Sequence, residues 1–175
     1  MNAKKLSFLL LILVAVACTN RSTSSEQDEM RHWNNVLQQI NALLLENKAR
    51  QTLDLAKQTL PEILESAEKN GTTDTLIYYA RKIFNACGNN YINTKQYKDG
   101  IDYMDSIGNH PLIREHCPHE LLSFKAGLNQ LYGNNPEAVR LAEDYLQLPV
   151  CTSANDFIRQ AEIISGVYML SLIHI

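Results

Sequence analysis

The chain has 175 residues, 45% of them hydrophobic and 20% charged, a balance that excludes a disordered segment and suffices for one domain with its own core. Its formal charge is −3, and discounting a leader that carries Lys4 and Lys5 leaves 14 Lys/Arg against 19 Asp/Glu. An acidic chain without a clustered basic stripe lacks the electrostatic footprint of a nucleic-acid binder, so DNA and RNA partners are excluded for this segment.

The N-terminus reads as an export signal. "MNAKK" is a positive n-region, and "LSFLLLILVAVA" is an apolar h-region of twelve residues, short of the roughly 20 that span a bilayer. The following "AVAC" fits two modes of cleavage. Ala15 and Ala17 form an ordinary A-x-A site, and Cys18 directly after the cut resembles a bacterial lipoprotein box, which implies lipidation of Cys18; Ala15 stands where that box usually has Leu. The signal peptide is assigned to 1–17. A polar, flexible spacer over 18–28 separates it from the folded part. Export places Cys87, Cys117 and Cys151 where disulfides persist, with Cys87 read as a small core residue and a Cys117–Cys151 bridge left open. In "REHCPHE", His116, Cys117, His119 and Glu120 are all zinc-ligand types, but adjacent ligands beside a proline seldom converge on one ion. A helix N-terminus with Glu in its first turn is the reading adopted, and no metal is expected.

From 29 to 169 the apolar residues recur with helical spacing, glycines are few and no alternating strand runs occur, so the domain is all-α. "WNNVLQQINALLLENKARQTLDLAKQTLP" resembles a tetratricopeptide unit. Trp33, Val36 and Ile40 lie on one face of its first helix, Ala49, Leu53 and Ala56 on the second, and Pro61 stands as terminator. Leu37 departs from the pattern, which prefers Gly there. "PEILESAEKNGTTD" reads as an extra helical stretch begun by Pro61 and ended near Asn70 and Gly71. A second unit carries Phe84, Cys87, Gly88 and Tyr91, then Tyr97, Gly100, Met104, Ile107 and Pro111. A third carries Leu122 and Ala126, then Ala138, Ala142, Tyr145 and Pro149. Gly100 to Pro111 and Ala138 to Pro149 are equally spaced, giving the two units a shared offset of 38 residues. Trp33, Phe84 and Leu122 are expected to point inward.

"ANDFIRQAEIISGVYM" opens a fourth first-helix, with Ala161, Ile164, Ser165 and Tyr168 at the places of Phe84, Cys87, Gly88 and Tyr91. Residues 170–175, "LSLIHI", resemble one reading frame of a sequencing-library adapter; they are read as a fusion scar, with the natural protein expected to continue past Met169. The resemblance therefore implies antiparallel helix pairs stacked as a tetratricopeptide-like right-handed solenoid, preceded by the signal peptide and truncated at its C-terminus.

By the same resemblance, the first helices line a concave groove. Its candidate binding residues are Arg31, Asn34, Gln38 and Asn41 in the first unit, Lys82, Asn85, Asn89 and Asn93 in the second, and Ser123 and Gln130 in the third. Each carboxamide both donates and accepts hydrogen bonds, which suits an extended peptide, a protein or a polar small molecule. No G-x-S-x-G, H-E-x-x-H, phosphate loop or dinucleotide turn occurs, so no catalytic residue and no cofactor are expected. Glu65 and Glu68, and Asp102 and Asp105, read as solvated acids without a facing partner.

The leader and repeats together resemble the sensory halves of bacterial membrane histidine kinases and membrane-bound transcription regulators. That resemblance implies an extracytoplasmic, membrane-anchored binding module of a longer signalling protein, with a transmembrane segment downstream. A self-contained lipoprotein scaffold for partner proteins is the alternative. A polysaccharide-uptake lipoprotein would need aromatic platforms, and Trp33 sits on the core stripe instead.

Overall fold

The computed structural model describes residues 27–149 together with 165 and 166. The leader, Cys18, most of the spacer, Cys151, residues 170–175 and the fourth unit apart from Ser165 and Gly166 lie outside the described residues. The described chain is all-α. Helix α1 covers 27–45, and α2 (Ala49–Asn70), α3 (Asp74–Asn93), α4 (Tyr97–Ile107), α5 (Pro111–His116), α6 (Pro118–Tyr132) and α7 (Asn135–Leu146) follow, each packed on its neighbours.

Local chemistry sets the helix starts. Thr73 Oγ1 accepts from Leu76 N–H at 3.2 Å ahead of α3, whose first turn holds Asp74. Proline occupies the first position of α5 and of α6, where its missing N–H costs nothing, and Glu120 stands in the first turn of α6, as the sequence predicts. Gly71 (φ 85°) ends α2. Pro61 behaves otherwise than its terminator assignment: α2 runs unbroken through it, so the second helix of the first pair and the extra stretch are one helix of 22 residues. Pro61 is exposed, so the Lys57 carbonyl deprived of its donor lies on the solvent side, and buried Leu60, Ile63 and Leu64 hold the helix together on the other.

Three helix hairpins, α1–α2, α3–α4 and α6–α7, reverse through the same turn. Its first residue is left-handed (Asn47 φ 55°, Lys95 φ 58°, Gly133 φ 93°), and the next adopts φ near −90° and ψ near 60° (Lys48, Gln96, Asn134). In each, that next residue donates its N–H to the carbonyl five back: Lys48 to Leu43 at 2.9 Å, Gln96 to Tyr91 at 3.1 Å and Asn134 to Asn129 at 2.9 Å. This six-to-one bond satisfies a carbonyl that the helix end would orphan. Superposing the turns gives offsets of 48 and 38 residues. The 38-residue spacing between the second and third units is thus present in the backbone. The 48-residue offset moves the first unit by three residues from its alignment on Trp33. Val36, not Trp33, is the counterpart of Phe84, and Thr52, not Ala49, that of Gly100.

The first helices α1, α3 and α6 run in the same direction and touch in order. Trp33 packs on Tyr79 with ring centroids 5.7 Å apart, and Phe84 meets Phe124 edge-to-face at 5.9 Å. Gly88 permits the second contact, since a Cβ there would stand 2.5 Å from the Phe124 ring. Trp33 and Phe84 are buried as expected, whereas Leu122 is only half-buried; Phe124, two residues on, fills the space above Gly88 in its place. Gly100 brings the start of α4 against Tyr91 and Leu128.

Four of the six buried polar side chains among the described residues turn back on their own helices. Thr52 and Thr59 hydroxyls donate to the Lys48 and Leu55 carbonyls at 3.0 and 2.9 Å, and the Asn90 and Asn129 amides donate to the Ala86 and Lys125 carbonyls at 2.8 and 2.9 Å. Asn90 Oδ1 is left without a partner; the turn register pairs Asn90 with the apolar, fully buried Leu128. Cys87 and Cys117 are free, buried thiols. Burial pushes Cys87 up to about 12, with its Sγ 3.7 Å from the Tyr103 hydroxyl, and Cys117 up to about 11, so both stay protonated and unreactive.

Gly88→Ala is expected to lower stability by about 1–3 kcal/mol in urea unfolding, because the Phe124 ring cannot yield without opening the α3–α6 contact; Phe124→Leu in the same chain should recover part of the loss. Lys95→Gly is expected to raise stability by about 1 kcal/mol, since Lys95 alone of the three left-handed residues carries a long side chain at that conformation.

Candidate functional site

The first helices carry an unusual side-chain set on their solvent-facing surface. Past the first turn, α1 has no carboxylate from 31 to 45, α3 none from 75 to 93 and α6 none from 121 to 132. Carboxamides and cations take many of the exposed positions, beside Tyr78 and, at the ends of α1 and α6, Leu44, Leu45, Leu131 and Tyr132. Asn34, Asn41, Lys82, Asn89 and Asn93 are exposed, while Asn85 and Ser123 are half-buried.

The turn register sorts the ten candidates into three groups. Asn34 pairs with Lys82, Asn41 with Asn89, and Asn85 with Ser123, so these six share rows across consecutive helices, and Asn93 extends the α3 row toward its turn. Arg31 and Gln38 fall at the places held by Tyr79 in α3 and by Ala86 and Phe124 in α3 and α6. Tyr79 and Phe124 are the residues that each later helix packs against its predecessor. Because α1 follows no hairpin within the described residues, the same places stay exposed there and bear polar groups. Arg31 and Gln38 therefore lie on the leading face of the array, and Arg31 is engaged by Asp28. Gln130 occupies the trailing side, its amide oxygen 3.4 Å from where a Cβ on Gly166 would stand.

One exposed aromatic joins the central rows without having been singled out from the sequence. Tyr78 precedes Lys82 by one helical turn, is 53% exposed, and has the Lys82 ammonium 5.6 Å from its ring centroid. It packs edge-on against Tyr79, at 5.4 Å, which in turn rests on Trp33. The signal was the tyrosine pair itself, since in a helix two adjacent aromatics cannot both face one core.

The framework behind these rows is electrostatically fastened. Arg81 Nε lies 3.2 Å from Glu120 Oε1 and its guanidinium also donates to the His116 carbonyl, linking α3 to α6 and to the end of α5. The Glu120 side chain is 8% exposed, so that pairing is what allows its burial. His119 Nε2 contacts the Pro149 carbonyl at 3.1 Å, and its ring meets Tyr145 at 5.5 Å. The ligand types of "HCPHE" are thus turned to separate partners, and among the described residues no group of three or more His, Cys, Asp or Glu is placed to hold a metal ion. The acids read as solvated do have partners. Glu65 pairs with Lys69 and Asp102 with Lys98 along their own helices, while Glu68 reaches His110 at 3.2 Å and Asp105 reaches Lys125 at 2.6 Å across helices.

Behind α3, the Lys57 ammonium from α2 stands 5.6 Å from the Tyr91 ring and 5.8 Å from the Tyr103 ring, which are themselves 5.4 Å apart. Burial raises both phenols, so this cluster is a packed cation–aromatic contact with no group ionised to act as nucleophile or base.

Comparison with known proteins finds no matching family model, no matching curated protein and no matching solved structure. Among the described residues, no helix is long and apolar enough to cross a membrane.

Arg81→Met is expected to cost about 1–3 kcal/mol in urea unfolding, because it leaves the buried Glu120 carboxylate without the half-exposed guanidinium that pairs with it. Arg81→Met combined with Glu120→Gln should recover more than half of that loss.

Proposed function

We propose that this chain is a helical-repeat binding module of tetratricopeptide-like type, stacked as a right-handed solenoid and held outside the cytoplasm by a lipid on Cys18. In this reading it is the sensory, protein-interaction part of a longer membrane signalling protein. The observation that supports it is the carboxamide-bearing surface of the first helices, free of carboxylates past their first turns, in which Asn41 and Asn89 share one turn-register position, Asn34 and Lys82 a second, and Asn85 and Ser123 a third. An extended peptide presents alternating N–H and C=O groups, and each carboxamide answers both.

The ligand class follows from the same groups. With no carboxylate among them, the rows repel neither acidic side chains nor backbone carbonyls, and Lys82 supplies a cation beside the Tyr78 ring. Occupancy would act by favouring one arrangement of the stacked pairs over another, with the preference transmitted to whatever output follows.

Selection of peptides from a random displayed library on the purified chain is the test. Peptides enriched on the parent are expected to lose about tenfold in affinity to the double variant Asn89→Ala, Asn93→Ala, and to be indifferent to Asn109→Ala, which lies outside the first helices. Failure to enrich any peptide, or equal binding by the double variant, overturns the reading.

A further inference from the structure

Six large hydrophobic side chains are exposed among the described residues, and four of them lie at one edge of the molecule, two at the end of α1 and two at the end of α6, with the end of α3 between them. Leu44 (41%) and Leu45 (86%) close α1, and Leu131 (48%) and Tyr132 (54%) close α6, all just before a hairpin turn. The turn register aligns Leu45 with Leu131 through Asn93, and Leu44 with half-buried Ile92. Because α1, α3 and α6 run in one direction, their three turns lie along the same edge. Leucine at 86% exposure gains nothing from the fold; it is available to a partner.

Charge is polarised along the same axis. The turn edge, over 44–52, 92–100 and 130–138, carries Lys48, Arg50, Lys95 and Lys98 against Glu46, Asp99 and Glu137. Lys48 is paired with Glu46 at 2.5 Å and Lys98 with Asp102 at 2.9 Å, while Arg50 and Lys95 are exposed. The opposite edge, over 27–33, 62–76, 105–120 and 141–149, carries eleven carboxylates against three Lys/Arg. An anionic plane would therefore attract one edge and repel the other.

We propose that the hairpin-turn edge docks on an anionic phospholipid leaflet, with Leu44, Leu45, Leu131 and Tyr132 entering the interface and Arg50 and Lys95 meeting the headgroups. Leucine and tyrosine flanked by basic side chains suit the apolar-to-polar boundary of a bilayer, and the acidic edge sets the orientation by facing away. The first-helix surface then stands upright on the leaflet and stays open to solvent. A tether at Cys18 permits this pose. The nine residues 18–26 span at most about 30 Å, comparable with the roughly 28 Å length of a 19-residue helix. This docking is independent of whether the carboxamide rows bind peptide.

Vesicle flotation tests it, using the chain from residue 18 onward with Cys18→Ser so that no acyl group contributes. The protein is expected to float with vesicles of phosphatidylethanolamine and phosphatidylglycerol, and to bind about tenfold less to phosphatidylcholine vesicles or at about 0.5 M salt. Leu45→Ser with Leu131→Ser should cut binding about tenfold, Lys95→Glu should cut it severalfold, and Leu146→Ser, an exposed apolar site away from these turns, should not change it. Circular dichroism confirms that each exposed-site variant keeps its helices. No flotation with the anionic vesicles, or flotation untouched by the paired serine variant, overturns the proposal. So does a concentration-dependent dimer in sedimentation that the same pair abolishes, because a second copy would then cover the edge.

Discussion

A single left-handed residue at the end of each first helix organises this protein. It reverses the chain so that the next amide can close a six-to-one bond on the helix just completed, and it does so at Asn47, Lys95 and Gly133 with one geometry. Neither helix of a pair could bury its apolar stripe alone, and the reversal lays one stripe against the other at a fixed register. Everything built on the pairs inherits that register. It accounts for the matching places of Asn41 and Asn89, and of Asn85 and Ser123, on successive helices and for the placing of the exposed leucines on one edge.

Between pairs, the joining contacts are few and specific. Phe124 seats over Gly88, Tyr79 leans on Trp33, and the Arg81–Glu120 pair spans α3 and α6. Apolar contact supplies most of the association, while the ion pair allows a carboxylate to sit nearly enclosed beside Cys117. Such an array distributes stability over interfaces, so a change at one of them is felt by its two neighbours more than by the far end.

Charge adds a second layer of organisation that packing does not require. Carboxylates collect on the second helices and at the edge away from the turns, leaving the first-helix surface with amides and cations. A protein with a net negative charge thus presents one side free of its own acids. That asymmetry serves both the proposed peptide surface and the proposed leaflet-docking edge, which lie at right angles to each other on the same three helices.

By itself the sequence determined that the described chain is helical, that one helix ends near Asn70 and another begins at Pro118, and that the second and third pairs repeat at 38 residues, because periodicity, end signals and proline at first positions are local properties. The inward placement of Trp33 and Phe84 was legible for the same reason. Tertiary structure decided the rest. Pro61 passes inside α2 because burial of Leu60, Ile63 and Leu64 outweighs one lost backbone bond, and no local rule weighs those two terms against each other. The first pair sits three residues from its motif alignment because the turn at Asn47 fixes the register, and a left-handed Asn or Lys leaves little mark in a sequence. Phe124 rather than Leu122 fills the core, since the gap over Gly88 exists only once α6 lies on α3. Arg31 and Gln38 part from the amide rows, and Leu45 stands in solvent, for the same reason: whether a helix face is covered depends on which neighbour the fold places against it.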